Sequence, residues 1–149
     1  MRQARDYSVV PVVYSEMITV TDEDADEFGH ANNTRYVHWM QQIATDHSAE
    51  LGWTSEKYLR RGVMWVARRH TIDYIHPVFP GETMKAETWV CEMKNLSSVR
   101  RYRFTRVSDD QLIATAETLW AFVSSQTGHP TRVPDEIKNL FPIRTDAQS

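Results

Sequence analysis

The pattern of apolar and polar positions divides the chain into one long helix and several strands. Over residues 33–51, apolar side chains recur at spacings of three and four, with polar side chains between them. This spacing is typical of an amphipathic helix with one apolar stripe. Asn32 or Asn33 can cap its start, and Gly52 can close its end. We therefore predict a helix of about 18 residues, or roughly 27 Å, from Asn33 to Leu51.

The rest of the pattern predicts strands. Residues 9–21 are rich in Val, Ile, Thr and Tyr, which is typical of a strand. Further strand-length runs follow the helix at residues 63–75, 83–93, 97–107 and 112–125. The connectors between the last three are short enough for hairpins, so we expect an antiparallel meander. Short helical segments are expected at residues 55–61 and 134–140.

A single amphipathic helix must bury its apolar stripe against another element, and here the sheet is that element. We therefore predict an α+β fold in which an antiparallel sheet wraps around one long central helix. The 149 residues fit a single domain over residues 1–149, and we see neither an internal repeat nor an interdomain linker. Such a sheet leaves edge strands open, and a partner chain can cover them.

Composition and charge narrow the classes of function. The 20 acidic and 17 basic residues give a net charge of −3, which disfavours nucleic acid as a partner. Cys91 is the one cysteine, so an internal disulfide and a cysteine-based zinc site are both excluded. No apolar run approaches the ~20 residues of a membrane span, and no secretory signal is recognisable. We expect a cytoplasmic protein that does not act at a membrane.

The densest group of polar residues lies just before the predicted helix and carries the candidate chemistry: Asp22, Asp24, Asp26, Gly29, His30, Asn32 and Asn33. A calcium loop fits poorly, because an EF-hand loop that starts at Asp22 needs Gly and Glu where this chain has Glu27 and Asn33. A carboxylate beside the free N–H groups of a helix N-terminus can instead serve acyl transfer. On composition alone, a solvated acidic loop that caps the helix is the favoured alternative.

Residues 26–36, DEFGHANNTRY, resemble the active-site segment of hotdog-fold acyl-CoA thioesterases, most closely the 4-hydroxybenzoyl-CoA thioesterase-like family. The shared pattern is Asp, two residues, Gly, a variable stretch ending in Asn or a substitute, and Tyr leading into the helix. The resemblance implies a hotdog fold and hydrolysis of an acyl- or aryl-CoA thioester to CoA and a carboxylic acid, without metal or organic cofactor. It also implies a homodimer or homotetramer, in which residues near 63–66 of the partner subunit complete the pocket.

The resemblance also implies roles for single residues. Asp26 matches the family's catalytic carboxylate, which acts as general base or as nucleophile through a mixed anhydride. Asn33 matches the residue whose backbone N–H polarises the thioester carbonyl. His30 and Asn32 match a frequent variant of the motif, with loop bracing and helix capping as the alternative. Asp24 is expected to orient the loop or to share charge with Asp26.

Two assignments to substrate binding have an equally good structural explanation. Tyr36 either lines the pocket or packs the helix. Trp65, together with Trp39 and Trp120, can shape an acyl or aryl pocket, but core packing explains each of them as well.

Two other functions and the site for the CoA phosphates stay open. A hotdog hydratase or dehydratase would use Asp26 or His76 to move protons on an enoyl thioester; the other alternative is a non-catalytic acyl-CoA-binding protein. Candidates for phosphate contacts are Arg100, Arg101, Arg103 and Arg106, with Arg68, Arg69 and Arg132 as rivals. Strand alternation puts Arg101 and Arg103 on one face, and Arg100 and Arg106 on the other.

Overall fold

The computed structural model describes residues 11–145. Five strands form one antiparallel sheet in the order β1-β3-β4-β5-β2. The elements in chain order are β1 (Tyr14–Thr19), α1 (Asn33–Glu50), α2 (Ser55–Arg60), β2 (Val63–Tyr74), β3 (Thr83–Met93), β4 (Ser97–Arg106), β5 (Leu112–Ser124) and α3 (Asp135–Lys138). The predicted α+β architecture is confirmed.

The strands after α1 match their predicted ranges to within one residue at each end, and the meander β3-β4-β5 is confirmed. β2 pairs with the outer side of β5, and β1 pairs with β3, so β1 and β2 form the two edges of the sheet. β1 is shorter than predicted, because Thr21 already begins a 3₁₀ turn at Asp22–Asp24. Positions 9 and 10 of the predicted first strand lie outside the described residues.

α1 begins and ends where its capping residues predict. The Asn32 side-chain oxygen accepts the backbone N–H of Thr34 at 2.9 Å, and the helix starts at Asn33. Leu51 is the C-terminal cap, and Gly52 follows with a φ of +96°, a conformation that favours glycine. The buried stripe comprises Tyr36, Trp39, Met40, Ile43, Ala44, His47 and Ser48.

The apolar core consists of two separate clusters, and this stripe contributes to the first of them. The first eleven residues of α1 contribute Tyr36, Met40 and Ile43 to a cluster with the central strands. A second cluster joins α2, the far ends of the strands and the C-terminal segment through Trp53, Tyr58, Val90, Phe122, Val133, Ile137 and Phe141. Each end of α1 therefore lies in a different environment. No helix within residues 11–145 has the length and apolarity to span a membrane.

Candidate functional site

Asp26 lies in a tight turn immediately before α1. Its backbone N–H donates to the His30 carbonyl at 2.9 Å, and the Gly29 N–H donates to the Asp26 carbonyl at 3.0 Å. Gly29 has a φ of +86°, which an L side chain rarely adopts. One carboxylate oxygen of Asp26, Oδ1, accepts the N–H of Phe28 at 2.9 Å. The turn therefore orients the carboxylate with backbone groups alone.

The second carboxylate oxygen of Asp26 faces His30. The distance from Oδ2 to His30 Nδ1 is 3.8 Å, and the Asp26 side chain is 20% exposed. His30 Nδ1 also lies 3.2 Å from the Ala31 carbonyl, and the Phe28 and Phe79 rings lie on two sides of the imidazole. The structure thus brings Asp26 and His30 together, with the carboxylate accessible to solvent.

Asn33 supplies an N–H group at the first turn of α1 that has no acceptor. Asn32 takes up the next two N–H groups: its side chain accepts that of Thr34, and its carbonyl accepts that of Arg35, each at 2.9 Å. Within residues 11–145 no carbonyl or side chain accepts the N–H of the exposed Asn33. This group therefore points out of the positive end of the helix dipole, where it can bind an anionic oxygen.

Asp24 braces the loop from below. It is 5% exposed and accepts hydrogen bonds from Arg35 Nε at 2.7 Å and from both the N–H and the hydroxyl of Thr21. Burial alone would raise the pKa of Asp24, but these hydrogen bonds and the Arg35 charge lower it below its usual range. Its carbonyl accepts the Asn32 N–H at 2.8 Å, which ties this buried carboxylate directly to the start of α1. These contacts fit the expected orienting role.

Tyr36 lies in the core beneath this loop. It is 3% exposed, and its ring makes edge-on contacts with the rings of Trp39, Tyr74 and Phe104 at 5.0–5.5 Å between centroids. These contacts match the packing alternative for Tyr36. Its assignment to substrate binding stays a prediction.

A cavity of about 240 Å³ lies at the other end of α1, between its last turns, α2 and the inner face of the sheet. Two of the three predicted pocket tryptophans, Trp65 and Trp120, line it, whereas Trp39 belongs to the core. Ala44, the first α1 residue of the lining, is eleven positions from Asn33, or roughly 17 Å along the helix axis. Within one chain, Trp65 is therefore not beside the Asp26 turn.

The four arginines of β4 separate as strand alternation predicts, but one is enclosed. Arg101 pairs with Glu117 at 3.0 Å, and Arg106 pairs with Asp109 at 2.8 Å. Arg100 is 5% exposed and lines the cavity, so it cannot meet a phosphate at the surface. A contact between Arg100 and a CoA phosphate stays a prediction, and it would have to form inside the cavity. Sequence reasoning missed a buried cation that shares its strand face with Ser98, Tyr102 and Phe104, all buried.

The residues of the alternative readings lie in ordinary surroundings. His76 is exposed after β2, where its Nδ1 lies 3.1 Å from the Leu112 carbonyl and 3.0 Å from the Gln111 amide nitrogen. In the part of the chain that the structure describes, no three His, Cys, Asp or Glu side chains are grouped to hold a metal ion.

Comparisons with known proteins place this geometry in a family. The chain is 25% identical over 129 residues to the acyl-CoA thioesterase YbgC of Haemophilus influenzae, covering 86% of this chain and 93% of that protein. It is 22% identical over 115 residues to the chloroplastic acyl-[acyl-carrier-protein] hydrolase FATB3 of Cuphea viscosissima, covering 72% of this chain. The chain spans 28% of the length of that plant protein.

A solved structure shows the same fold. The DHNA-CoA thioesterase of Staphylococcus aureus superposes with a TM-score of 0.76 at 22% identity, covering 80% of each chain. This likeness confirms the predicted hotdog fold. Residues 20–141 match the thioesterase-like superfamily, which also confirms the predicted class, a thioester hydrolase, at the level of the family. The chain belongs to the thioesterase-like superfamily.

Proposed function

We propose that this chain hydrolyses an acyl- or aryl-CoA thioester to CoA and a carboxylic acid, with Asp26 and the Asn33 backbone N–H as the catalytic groups. One observation carries the proposal: an oriented, solvent-accessible carboxylate lies in the same short loop as a helix N–H without an acceptor. The N–H stabilises the negative charge that develops on the thioester oxygen. The carboxylate supplies the base or the nucleophile.

Both routes use these groups in the same positions. In the general-base route, Asp26 takes a proton from water while the water oxygen attacks the thioester carbon, and the CoA thiolate then leaves. In the covalent route, an Asp26 oxygen attacks that carbon and the thiolate leaves from the adduct; water then cleaves the resulting mixed anhydride. Each route puts negative charge on the former carbonyl oxygen, which the Asn33 N–H faces.

The comparisons support CoA as the carrier of the acyl group. YbgC, of which this chain covers 93%, is named an acyl-CoA thioesterase, and the similar S. aureus structure is named a DHNA-CoA thioesterase. His30 and Asn32, adjacent to the two catalytic groups, are our candidates for contacts to the thioester. Tyr36 and Trp65 keep their proposed part in substrate binding.

We propose further that β2 forms the contact of a homodimer, which can pair again into a homotetramer in the cytoplasm. β2 is a 12-residue edge strand, and such an edge carries peptide groups free to pair with a second copy. Pairing there would bring residues 63–66 of the partner subunit to the pocket, as the family resemblance implies. A stable, active monomer in sedimentation at micromolar concentration would contradict this arrangement.

The test of the catalytic proposal is thiol release from hydroxybenzoyl-CoA, phenylacetyl-CoA and fatty acyl-CoA. Asp26→Asn should lower kcat by about 10²–10⁴-fold with a much smaller change in KM, because the lost charge acts in the transition state. Asp22→Asn, at an exposed position four residues earlier, is the matched control and should keep near wild-type kcat.

Three outcomes would contradict the proposal. A folded Asp26→Asn protein with near wild-type kcat would remove Asp26 from the reaction. A change in enoyl absorbance without thiol release would favour the hydratase. Binding of acyl-CoA with neither reaction would favour the non-catalytic binding protein.

A further inference from the structure

The cavity at the C-terminal end of α1 has largely apolar walls and one charged side chain. Its walls are largely aromatic and aliphatic, with Trp53, Trp65, Trp120 and Phe141 among them. Arg100 is the one residue with a charged side chain in the whole lining. The cavity is therefore not a general polar pocket, because it holds one positive charge within apolar walls.

The Arg100 guanidinium has only neutral partners. Its Nη1 donates to His47 Nδ1 at 2.9 Å and to the Thr88 hydroxyl oxygen at 3.1 Å, and the Phe141 ring lies 5.6 Å away. Burial and then the Arg100 charge lower the pKa of His47 to about 3, so His47 is neutral. Across residues 11–145 no carboxylate pairs with Arg100, and neither its Nε nor its Nη2 donates a hydrogen bond.

A buried charge without a counter-charge is energetically costly. Elsewhere in this structure a buried charge is paired with an opposite charge. Asp24, equally buried, is paired with Arg35 at 2.7 Å. Arg100 keeps its charge in the cavity wall without such a partner. An anionic group entering the cavity would meet an unpaired guanidinium that has two nitrogens free to donate, the geometry that suits a carboxylate.

Three other polar side chains in the wall bind one another, whereas the Trp120 Nε1 has no hydrogen-bond partner among the described residues and is free to donate to a ligand. Trp65 Nε1 donates to the Tyr58 hydroxyl at 3.3 Å, and the Ser48 hydroxyl donates to the Trp53 carbonyl at 2.8 Å. The Tyr58 hydroxyl therefore donates to the Ser48 oxygen, at 2.8 Å. These three donors are all in use, so they do not compete with the guanidinium for a ligand.

Size and access restrict the ligand to a small one. An apolar cavity of about 150 Å³ holds one benzene ring, so about 240 Å³ holds a ring or a short chain together with a carboxyl group. In the single chain the rim is open between α2 and the β2 edge that we propose for the homodimer, where Leu59 is 58% exposed and Met64 is 37% exposed. A ligand can enter there without displacing the core.

We propose that this cavity binds a small carboxylate with an apolar body, whose carboxylate pairs with Arg100 while the body packs against the tryptophans. The carboxylate can come from a free carboxylic acid or from the distal end of a dicarboxylic acyl thioester. The second source rests on the proposed thioesterase function. The binding site itself does not depend on that function, because binding measurements alone test it.

The binding test compares phenylacetate and hexanoate with their neutral amides on the full chain, by calorimetry and by the fluorescence of the lining tryptophans. The carboxylates should bind roughly 10–100-fold more tightly than the amides, because only they pair with the guanidinium. Arg100→Gln should remove this difference. Arg100→Lys should keep part of it, since lysine retains the charge but not the planar fork.

Arg103→Gln is the matched control, because Arg103 lies on the same strand but outside the cavity, over the Trp89 ring at 5.4 Å. It should leave carboxylate binding unchanged. Equal binding of acid and amide by the wild-type protein would overturn the proposal, as would equal loss in the Arg100→Gln and Arg103→Gln proteins. If Arg100→Gln does not fold, the acid–amide comparison in the wild-type protein and the Arg100→Lys variant still test whether Arg100 binds the carboxylate.

Thiol release separates the two sources. With the thioester at Asp26 of the partner subunit in the proposed homodimer, a distal carboxylate on the substrate predicts a higher kcat/KM for adipoyl-CoA than for hexanoyl-CoA, lost in Arg100→Gln. A free acid predicts equal hydrolysis of the two thioesters, with Arg100-dependent binding of hexanoate retained; either result supports the site. Absence of thiol release from every thioester would refute the proposed function while the binding result stands.

Discussion

At the N-terminal end of α1 the reactive groups face solvent, whereas at its C-terminal end they are enclosed. Asp26 and the Asn33 N–H lie in a loop held by backbone hydrogen bonds, outside the lining of the cavity described above. Arg100 lies in an apolar cavity formed by side chains from α1, α2 and the sheet. The proposed catalytic groups therefore lie at the exposed end of α1, and the unpaired charge lies at the enclosed end.

The two ends also treat a buried charge differently. Asp24 beneath the loop is surrounded by Arg35 and Thr21, which keep it ionised. The hydrogen-bond partners of Arg100, His47 and Thr88, are both neutral, and the ring beside its guanidinium is that of Phe141. The ion-paired Asp24 therefore stabilises the loop, whereas Arg100, whose hydrogen-bond partners are neutral, is available to an anionic ligand.

We expect the largest effect on kcat from a substitution at the N-terminal end of α1 that leaves the Asp26 side chain in place. Asn33→Pro deletes the proposed oxyanion donor, because proline has no N–H. The first residue of a helix tolerates proline, and Asn32, with φ −65° and ψ 137°, already has the conformation that precedes proline. We expect kcat for thiol release to fall by about 10²–10³-fold in a folded protein.

Asn33→Ala is the control, since alanine keeps the N–H and should leave kcat almost unchanged. Circular dichroism and thermal unfolding should show that both variants keep α1. An Asn33→Pro protein with wild-type kcat would exclude this N–H as the oxyanion donor.

We expect the next largest effect, on stability, from removing the Asp24 charge that holds the same loop. Asp24→Asn removes the charge that pairs with Arg35 and leaves an amide group among the two Thr21 donors. We expect the free energy of unfolding to fall by about 1–3 kcal/mol, because buried donors lose a charged acceptor. Chemical denaturation measures this, with the exposed Asp22→Asn as control, expected within about 0.5 kcal/mol of wild type. Equal stability of the two variants would mean that Asp24 does not brace the loop.

The N-terminal end was largely predictable from the sequence because its structure is local. Asn32 caps the helix it precedes, Gly29 closes a turn with a residue three positions away, and Asp24 contacts Thr21 and Arg35. Residues this close along the chain meet through turns and helix ends whose sequence signals are known. The strands after α1 were predictable for the same reason, since short hairpins join three of them.

The C-terminal end was not predictable, because it depends on contacts between distant positions. Arg100 and His47 are 53 residues apart, and no local pattern relates them. Alternation put Arg100 on the opposite face from Arg101, but which face is the inner one depends on how the sheet curves around α1. Trp65 lies far from the Asp26 turn of its own chain, so its predicted part in the substrate pocket requires the partner subunit, and no local pattern relates the two positions.

We expect the smallest effect from the protonation of His47 at the C-terminal end of α1, which makes the free energy of unfolding depend on pH. The pKa of His47 is lowered from 6.5 to about 3 by burial and by Arg100, so the unfolded chain binds a proton that the folded chain excludes. The stability associated with neutral His47 is therefore complete above about pH 6.5 and declines as the pH falls towards 3. From His47 alone we expect the free energy of unfolding to fall by about 1 kcal/mol between about pH 6 and pH 5.

Denaturant unfolding at each pH measures this slope, and His47→Asn should flatten it because the amide oxygen can accept from Arg100 without titrating. His70 is the comparison, since burial also lowers its pKa while its ring contacts Thr118 at 2.8 Å, not Arg100. His70→Asn should flatten the slope less than His47→Asn does. The pKa of the Asp24 carboxyl is lowered and lies below this window, whereas burial raises the pKa of Glu16; Glu16 is unchanged in both variants, so its titration cancels in the comparison. An unchanged slope in His47→Asn would show that a proton on His47 is tolerated beside Arg100, and the cavity would then not depend on a neutral partner.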